Sequence, residues 1–360
     1  MMIIRPVRPG DIDALEYLAN SAKVGLTTLP RDRKLLENKI VASQHAFEAE
    51  RNEPGDDHYL FVLEDTDRGT AVGTAGIVAA VGVSEAFYSY RVGTVVHASR
   101  ELGVYNKIPT LYLSNDYTGS TELRTLFLDP SYRKDKNGKF LSKSRFLFMA
   151  GFPHRFAQKV IAEMRGYSDE NGRSPFWEGL GRRFFSMDFS QADFLTGVGD
   201  KHFIAELMPK YPVYVNLLSD ETQAAIGQVD EYTKPALSIL EKEGFSYRGY
   251  VDIFDAGPTV EAPFKGIRAI RDSMAFPVTI GTMATEGDYH LISNRKQEAF
   301  RCALVRLPMT EGNEIVVDDM LAEALEIGSM YSPTPVKSSL TKTAPIKLAS
   351  PLTHSIIFLI

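Results

Sequence analysis

The residues with the most chemistry in this 360-residue sequence lie close together, in Arg133-Lys134-Asp135-Lys136-Asn137-Gly138-Lys139, with Lys143 and Arg145 just beyond. They open a segment in which Phe140, Leu141, Ser144, Leu147 and Phe148 recur at helical spacing. The start of a helix leaves backbone N–H groups without partners and carries the positive end of the helix dipole, so it favours an anion. Gly138 lets such an anion approach the backbone closely. The chemistry on offer is the binding of phosphate. A solvated basic turn uses the same residue types, so the loop alone leaves both readings open.

Other chemistries lack their residues. The one cysteine, Cys302, cannot form an internal disulfide or a Cys-rich zinc site. His45, His58, His97, His154, His202, His290 and His354 are scattered without metal-ligand spacing, so no metal site is expected. There is no G-x-x-x-x-G-K-[ST], no H-E-x-x-H and no G-x-S-x-G. Gly197-Val198-Gly199 lacks the third glycine and the preceding strand of a dinucleotide fingerprint. Forty Lys+Arg against 46 Asp+Glu give a net charge of −6, which disfavours a protein that tracks nucleic-acid backbones. Hydrophobic residues at 44% and charged residues at 24% are ordinary globular values. The apolar run 355–360 falls far short of the roughly 20 residues that span a bilayer. The expectation is a soluble, cytoplasmic protein with no membrane and no nucleic-acid partner.

The elements that must position the basic loop follow from periodicity. Residues 2–7 read as a strand. Asp11 can cap a helix through 22, and a second helix fits 34–50. Strands fit 59–63 and 71–81, across a turn-like 65–69. Residues 84–120 are irregular and rich in aromatic and polar groups. The strand 122–128 is apolar on both faces and therefore central. After it come the basic loop, a helix from 138 to 151 and an apolar strand over 160–165. Further on, a strand is expected over 184–189, a helix over 233–243 and a strand over 245–254. From about 258 the pattern is strand-like, with one late helix near 318–325.

Strand, two helices, two strands, central strand, basic loop, helix and strand is an order that resembles the GNAT-type acyltransferases. In that superfamily the loop reads [QR]-x-x-G-x-[GA] and its amides hold the pyrophosphate of coenzyme A. Here it offers Arg133-x-x-Lys136-x-Gly138, with a lysine in place of the first glycine. Longer stretches narrow the resemblance. Ile4-Arg5-Pro6-Val7, Tyr90-Arg91-Val92-Gly93-Thr94, Val96-His97-Ala98-Ser99, Phe127-Leu128-Asp129, Leu141-Ser142-Lys143-Ser144-Arg145-Phe146, Ala162-Glu163-Met164-Arg165-Gly166 and Tyr250-Val251-Asp252-Ile253-Phe254-Asp255-Ala256-Gly257-Pro258 look like the arginine N-succinyltransferase family.

The resemblance implies an α/β fold: a GNAT-like mixed central sheet flanked by helices over 1–257, with an insertion at 84–120. A smaller β-rich region over 258–331 and a divergent, loose tail over 332–360 complete the expected organisation. The implied activity is transfer of succinyl from succinyl-CoA to the α-amine of L-arginine, in arginine catabolism. Succinyl-CoA would be a co-substrate, with no other cofactor. A homo-oligomer, or a hetero-oligomer with a paralogous chain, is implied as the assembly. Two alternatives stay open: a non-catalytic paralogous subunit, and a GNAT acetyltransferase acting on another small amine.

Site residues follow from the same resemblance. The family's succinyl-CoA contact falls on Leu126, and the coenzyme loop on Arg133, Asn137 and Gly138. The family's proton donor is a histidine after G-Q-V, but Gly227-Gln228-Val229 is followed here by Asp230. Asp230 could serve as donor if buried, or cap the helix near Thr233 while another group acts; capping is the favoured reading. His97 is one replacement for the missing imidazole. Glu163, on the strand after the coenzyme helix, is a candidate base or amine contact, or else an ion-pair partner for Arg165. Glu206, Asp252 and Asp255 could pair with a substrate guanidinium, since carboxylates bind it bidentately. Arg91 could hold the succinyl carboxylate, or form a salt bridge.

Overall fold

The computed structural model describes residues 1–22, 27–189, 191–192, 195, 202–283, 286–307, 314–327 and 354–359, with 202, 203, 205 and 354–359 described by backbone alone. Strand β1 (Met2–Pro6) leads into helices α1 (Ile12–Ser21) and α2 (Arg33–Glu48). Asp11 precedes α1 but makes no side-chain cap. Its carboxylate instead takes two 2.8 Å bonds from the Arg5 guanidinium and one from the Arg8 amide. A charged bidentate pair outweighs a neutral cap, and this one ties β1 to the helix start. At α2 the cap is present, Asp32 accepting the Leu35 amide at 2.9 Å.

Next come β2 (His58–Asp65) and β3 (Thr70–Val78). Within 84–120, read as irregular, the chain forms a long hairpin of β4 (Ser89–Ser99) and β5 (Val104–Ser114). Then follow β6 (Thr121–Leu128), α3 (Asn137–Gly151) and β7 (Lys159–Glu163). The strand expected over 184–189 is not formed. A helix occupies Arg182–Phe185, where Phe185 packs against the Trp177 ring. The short β8 (Val213–Tyr214) and a helix over Lys234–Lys242 precede β9 (Ser246–Val251) and β10 (Pro258–Pro263). The C-terminal part supplies β11 (Met274–Ile280), β12 (Asp288–Ser293), β13 (Cys302–Leu307) and β14 (Ile315–Val317). Residues 332–353 and 360 of the expected tail lie outside the described residues, but His354–Leu359 forms β15, which pairs with β11 and β12.

Among the described residues 15 strands join one sheet, ordered β14-β11-β15-β12-β13-β1-β2-β3-β6-β7-β10-β9-β4-β5-β8. The class is the mixed, helix-flanked α/β sheet expected. The sheet continues across the boundary drawn at 257, because β10 pairs with both β7 and β9. The β-rich C-terminal strands extend the sheet from the other side, through β13 and β1.

The main core lies between the sheet and α3, around Phe61, Leu123, Phe140, Leu141, Phe148, Val160 and Ala162. On the opposite face α1 and the start of α2 cover Leu60, Val62 and Ala71. A second core of Tyr90, Leu111, Phe176, Trp177, Val251 and Phe254 covers the β4-β5-β9 end.

Candidate active site

In the centre of the sheet β6 and β7 run parallel, while the strands flanking them pair antiparallel. Their pairing covers only Thr121↔Val160 and Glu122↔Ile161. Beyond that register the two strands part and leave a wedge between their C-terminal ends. β7 is drawn off by β10, which pairs with it over its whole length. β6 stays with β3, but with a bulge between Thr74 and Gly76. Thr125, at the bulge, has φ +55°, a conformation that a β-branched residue adopts only under strain. Gly76 suits the bulge, since a Cβ there would sit tight against Arg124 O and Thr125, at 3.2–3.3 Å.

The direction of the β6 peptides follows from their partners. The Asp129 amide bonds Val72 on β3. Peptide groups alternate between strand edges, so Phe127 also faces β3, whereas Leu126 and Leu128 face the wedge. The Arg133 Nε bonds Leu128 O at 3.1 Å, on that side. The amide of Leu126 is thus turned into the opening.

The basic loop stands at the end of β6 and opens α3. Lys136 is its N-cap, with φ +64°, and Asp135 has φ +50°. Gly138 faces open space: a Cβ there would meet nothing within 4 Å. Arg133, Lys134, Lys136 and Lys139 are exposed. Lys136 Nζ lies 4.6 Å from the Tyr289 ring centroid, and Arg133 lies 5.7 Å from that of Phe127. Asn137 is buried and its amide bonds Tyr132 O at 3.1 Å, so it shapes the loop. Two cations of the expected cluster turn away from it. Lys143 is buried against Glu243 at 2.7 Å, which also takes Arg268. Arg145 is buried beneath the bulge, its pKa pushed down to about 9 by burial. These two belong to the fold rather than to the anion site.

Glu163 stands across the wedge from Arg124, each two residues beyond the last β6–β7 pair. Leu123 and Ala162 enter the main core, so Arg124 and Glu163 both occupy the opposite face. Arg124 Nη2 meets His58 Nδ1 at 2.7 Å, and His58 Nε2 meets Asp56 at 3.0 Å. The His58 bond, ahead of one from Ser84, holds the Asp56 pKa down at about 2 despite partial burial. Thr259, the Cα partner of Glu163, is fully buried and its hydroxyl has no partner among the described residues.

Asp230 lies at the mouth of the wedge. The Met164 amide bonds Pro258 O on the β10 side, so by alternation Arg165 faces the other edge. The Asp230 amide donates to Arg165 O at 2.9 Å, and Val229 bridges to Gly166. The Asp230 side chain accepts the Tyr232 amide at 2.9 Å, and its carbonyl takes the Thr233 and Lys234 amides. It opens the helix Lys234–Lys242, although Thr233 is the N-cap residue.

The other candidates lie elsewhere. Asp255 accepts the amides of Gly166 and Gly257, each at 2.8 Å, and Asp252 accepts those of Phe254 and Asp255. Burial, with the neighbouring carboxylate, raises the pKa of Asp255, and burial raises that of Asp252. Asp255, buried, gives both oxygens to backbone amides, and Asp252, half-buried, gives one oxygen to two of them. Arg91 pairs with Tyr250 on β4, four strands from β6. It shares a cross-strand row with Glu163 through Tyr250 and Thr259, three strands from β7, about 14 Å along the sheet. His97 is six residues further out, about 20 Å along the hairpin, exposed, with its ring centroid 5.6 Å from that of Tyr214. Glu206 is exposed on the short helix His202–Leu207. The structure therefore brings Leu126, Arg133, Gly138, Glu163 and Asp230 to the wedge, sets Arg91 in the row of Glu163, engages Asp252 and Asp255 with their own loop and places His97 far out on the hairpin.

Arg124, His58, Thr259 and Thr74 went unmarked in the sequence. Signals existed for some of them. Arg124 is a charge within an apolar strand. Thr74 lies between Gly73 and Gly76, and glycine inside a strand marks a bulge or a close approach.

Comparison with known proteins points to one family. A family model described as arginine N-succinyltransferase beta subunit matches residues 2–269. The arginine N-succinyltransferase of Escherichia coli (strain K12) is 54% identical over 316 residues, covering 86% of this chain and 91% of that protein. The same holds for that of Escherichia coli O157:H7. The solved arginine/ornithine succinyltransferase subunit AI from Pseudomonas aeruginosa is 37% identical, with a TM-score of 0.86 over 100% of this chain and 98% of that one. Among the described residues no helix is long and apolar enough to cross a membrane.

Proposed function

The chain belongs to the arginine N-succinyltransferase family, and from that premise we propose that it transfers succinyl from succinyl-CoA to the α-amine of L-arginine, a step of arginine catabolism in the cytoplasm. The observation that carries the reading is the wedge between β6 and β7, with the Leu126 amide turned into it and the open start of α3 beside it. Succinyl-CoA is a co-substrate here, and no other cofactor is called for.

The coenzyme phosphates lie against the first amides of α3, near Gly138, with Arg133, Lys134, Lys136 and Lys139 around them. The pantetheine arm runs along the free edge of β6, and the thioester oxygen meets the Leu126 amide. The arginine α-amine, with an ordinary pKa near 8, must be neutral to attack. Its lone pair forms the C–N bond, and the carbonyl electrons move onto oxygen. The Leu126 amide stabilises that oxyanion. When the carbonyl re-forms, the C–S bond breaks and the thiolate leaves with a proton originating on the attacking nitrogen. Glu163, at the wedge on the face away from α3, receives or orients the ammonium. Holding both substrates together supplies much of the remaining rate.

The test is release of free CoA from succinyl-CoA with L-arginine, the product identified by mass spectrometry. Turnover with L-arginine and a poor response to acetyl-CoA are expected. CoA release with peptide amines but not with L-arginine would end the reading. Asp230 in place of the family's histidine favours a second reading, a silent subunit paired with a histidine-containing paralogue. That reading predicts an inactive wild type whose Asp230→His variant turns over.

A further inference from the structure

The bulge in β6 is held by two buried side chains that no part of the reaction above employs. The Thr74 hydroxyl on β3 donates to Thr125 O at 2.9 Å, and Thr74 is fully buried. From α3, Arg145 Nη1 reaches Arg124 O and Gly76 O, both at 3.4 Å. Among the described residues its other bonds go to Ser142 O and Oγ. No carboxylate pairs with Arg145 among the described residues. A fully buried cation without a carboxylate is costly. It lies under a threonine whose φ of +55° is itself strained.

These features converge on one peptide. The carbonyls on either side of Thr125 are gripped, Arg124 O by a charged donor and Thr125 O by a hydroxyl. Thr125 O belongs to the same peptide as the Leu126 N–H. A hydrogen bond to a peptide oxygen polarises that peptide and strengthens its N–H as a donor. We infer that Thr74 and Arg145 are positioning residues for acyl transfer, fixing the bulge and polarising the Leu126 amide toward the thioester oxygen. The inference rests on the coenzyme placement proposed above. Neither side chain needs to touch the substrate. Arg145 adds a fixed positive charge in a dry site near the place where the oxyanion develops, and such preorganised charge acts most strongly in the transition state.

The test compares Thr74→Val, which keeps the shape and removes the hydroxyl, with Thr74→Ser, which keeps the hydroxyl. The Val variant should lose about tenfold or more in kcat, the scale of losing a supporting hydrogen bond to a catalytic group. Its KM for succinyl-CoA should stay within about twofold, because the effect belongs to the transition state. The Ser variant should keep most of kcat. Melting temperatures are measured alongside, since a structural role alone would lower Tm while leaving kcat intact well below it. Both variants are also assayed on hydrolysis of succinyl-CoA by water, which needs no acceptor. A wild type that hydrolyses succinyl-CoA but ignores L-arginine, with the Val variant tenfold slower, would sink the substrate reading and support the inference. Wild-type kcat in a folded Val variant, equal losses in Val and Ser, or a wild type inactive in both reactions would overturn it. Arg145→Lys, which keeps the charge and loses the planar fork, should follow Thr74→Val in direction if it folds.

Discussion

The segments 126–138 and 252–257 both concentrate polar groups beside β7, and they dispose of them in opposite ways. In 252–257 the carboxylates turn inward, with Asp252 and Asp255 taking four backbone amides between them. In 126–138 the cations Arg133, Lys134 and Lys136 point out, Gly138 faces open space and the Leu126 amide looks into an unpaired gap. A polar loop that satisfies its own backbone builds structure. One that leaves amides unsatisfied at a helix start and along a strand edge is built to receive a ligand. The inward loop serves the outward one, because Asp255 holds the Gly166 amide and so anchors the end of β7 next to Asp230.

The sharpest break in this comparison is Asp255→Ala. It strands two buried amides, and at about 1–3 kcal/mol each the loss should reach about 3 kcal/mol or more. A large fall in Tm is expected, whereas a variant as stable as wild type would show that the loop is not structural. Gly138→Asp should do the reverse, leaving Tm nearly unchanged while weakening coenzyme binding about tenfold, or about 1.4 kcal/mol. Asp230→Ala should cost about 1 kcal/mol of stability, as for a lost helix-start residue, with kcat nearly intact. A kcat loss of about a hundredfold would make Asp230 a general acid instead.

A pH experiment refines the inward side. Burial raises the pKa of both Asp252 and Asp255, so the folded chain holds these protons more tightly than the unfolded chain. Their contribution is complete below the ordinary carboxylate pKa and is lost as pH rises through the raised values. Asp252→Asn keeps an oxygen for the Phe254 and Asp255 amides and removes one of the two charges. Thermal melts from about pH 4 to 8 should show a flatter decline for this variant than for wild type, with a parallel decline counting against the pair. The smallest effect is expected from His97→Ala, within about 0.5 kcal/mol in stability and with kcat unchanged.

The outward segment was largely legible in the sequence. A strand apolar on both faces, a basic loop and a helical repeat from 140 onward are strong local signals, and the wedge forms where they meet. What escaped depends on distant partners. Lys143 and Arg145 read as part of the cationic cluster, yet α3 is buried on most sides and turns them onto Glu243 and the bulge. Asp252 and Asp255 read as guanidinium ligands because nothing local reveals that they accept their own loop's amides. His97 carries strong family resemblance but sits on a hairpin whose register carries it six residues beyond the row of Arg91 and Glu163. The apolar residues 354–359 read as tail because their strand partners, β11 and β12, are more than 60 residues away in sequence. The Phe184-Phe185 pair favoured a strand on β-propensity, and packing against Trp177 overrode it.

The central claim is that the wedge and the start of α3 form the coenzyme site, and it is tested most directly by calorimetric titration of coenzyme A into the wild type and Gly138→Asp. The account predicts saturable binding to the wild type and at least about tenfold weaker binding to the variant at equal Tm. Equal affinity in two equally folded proteins would contradict it.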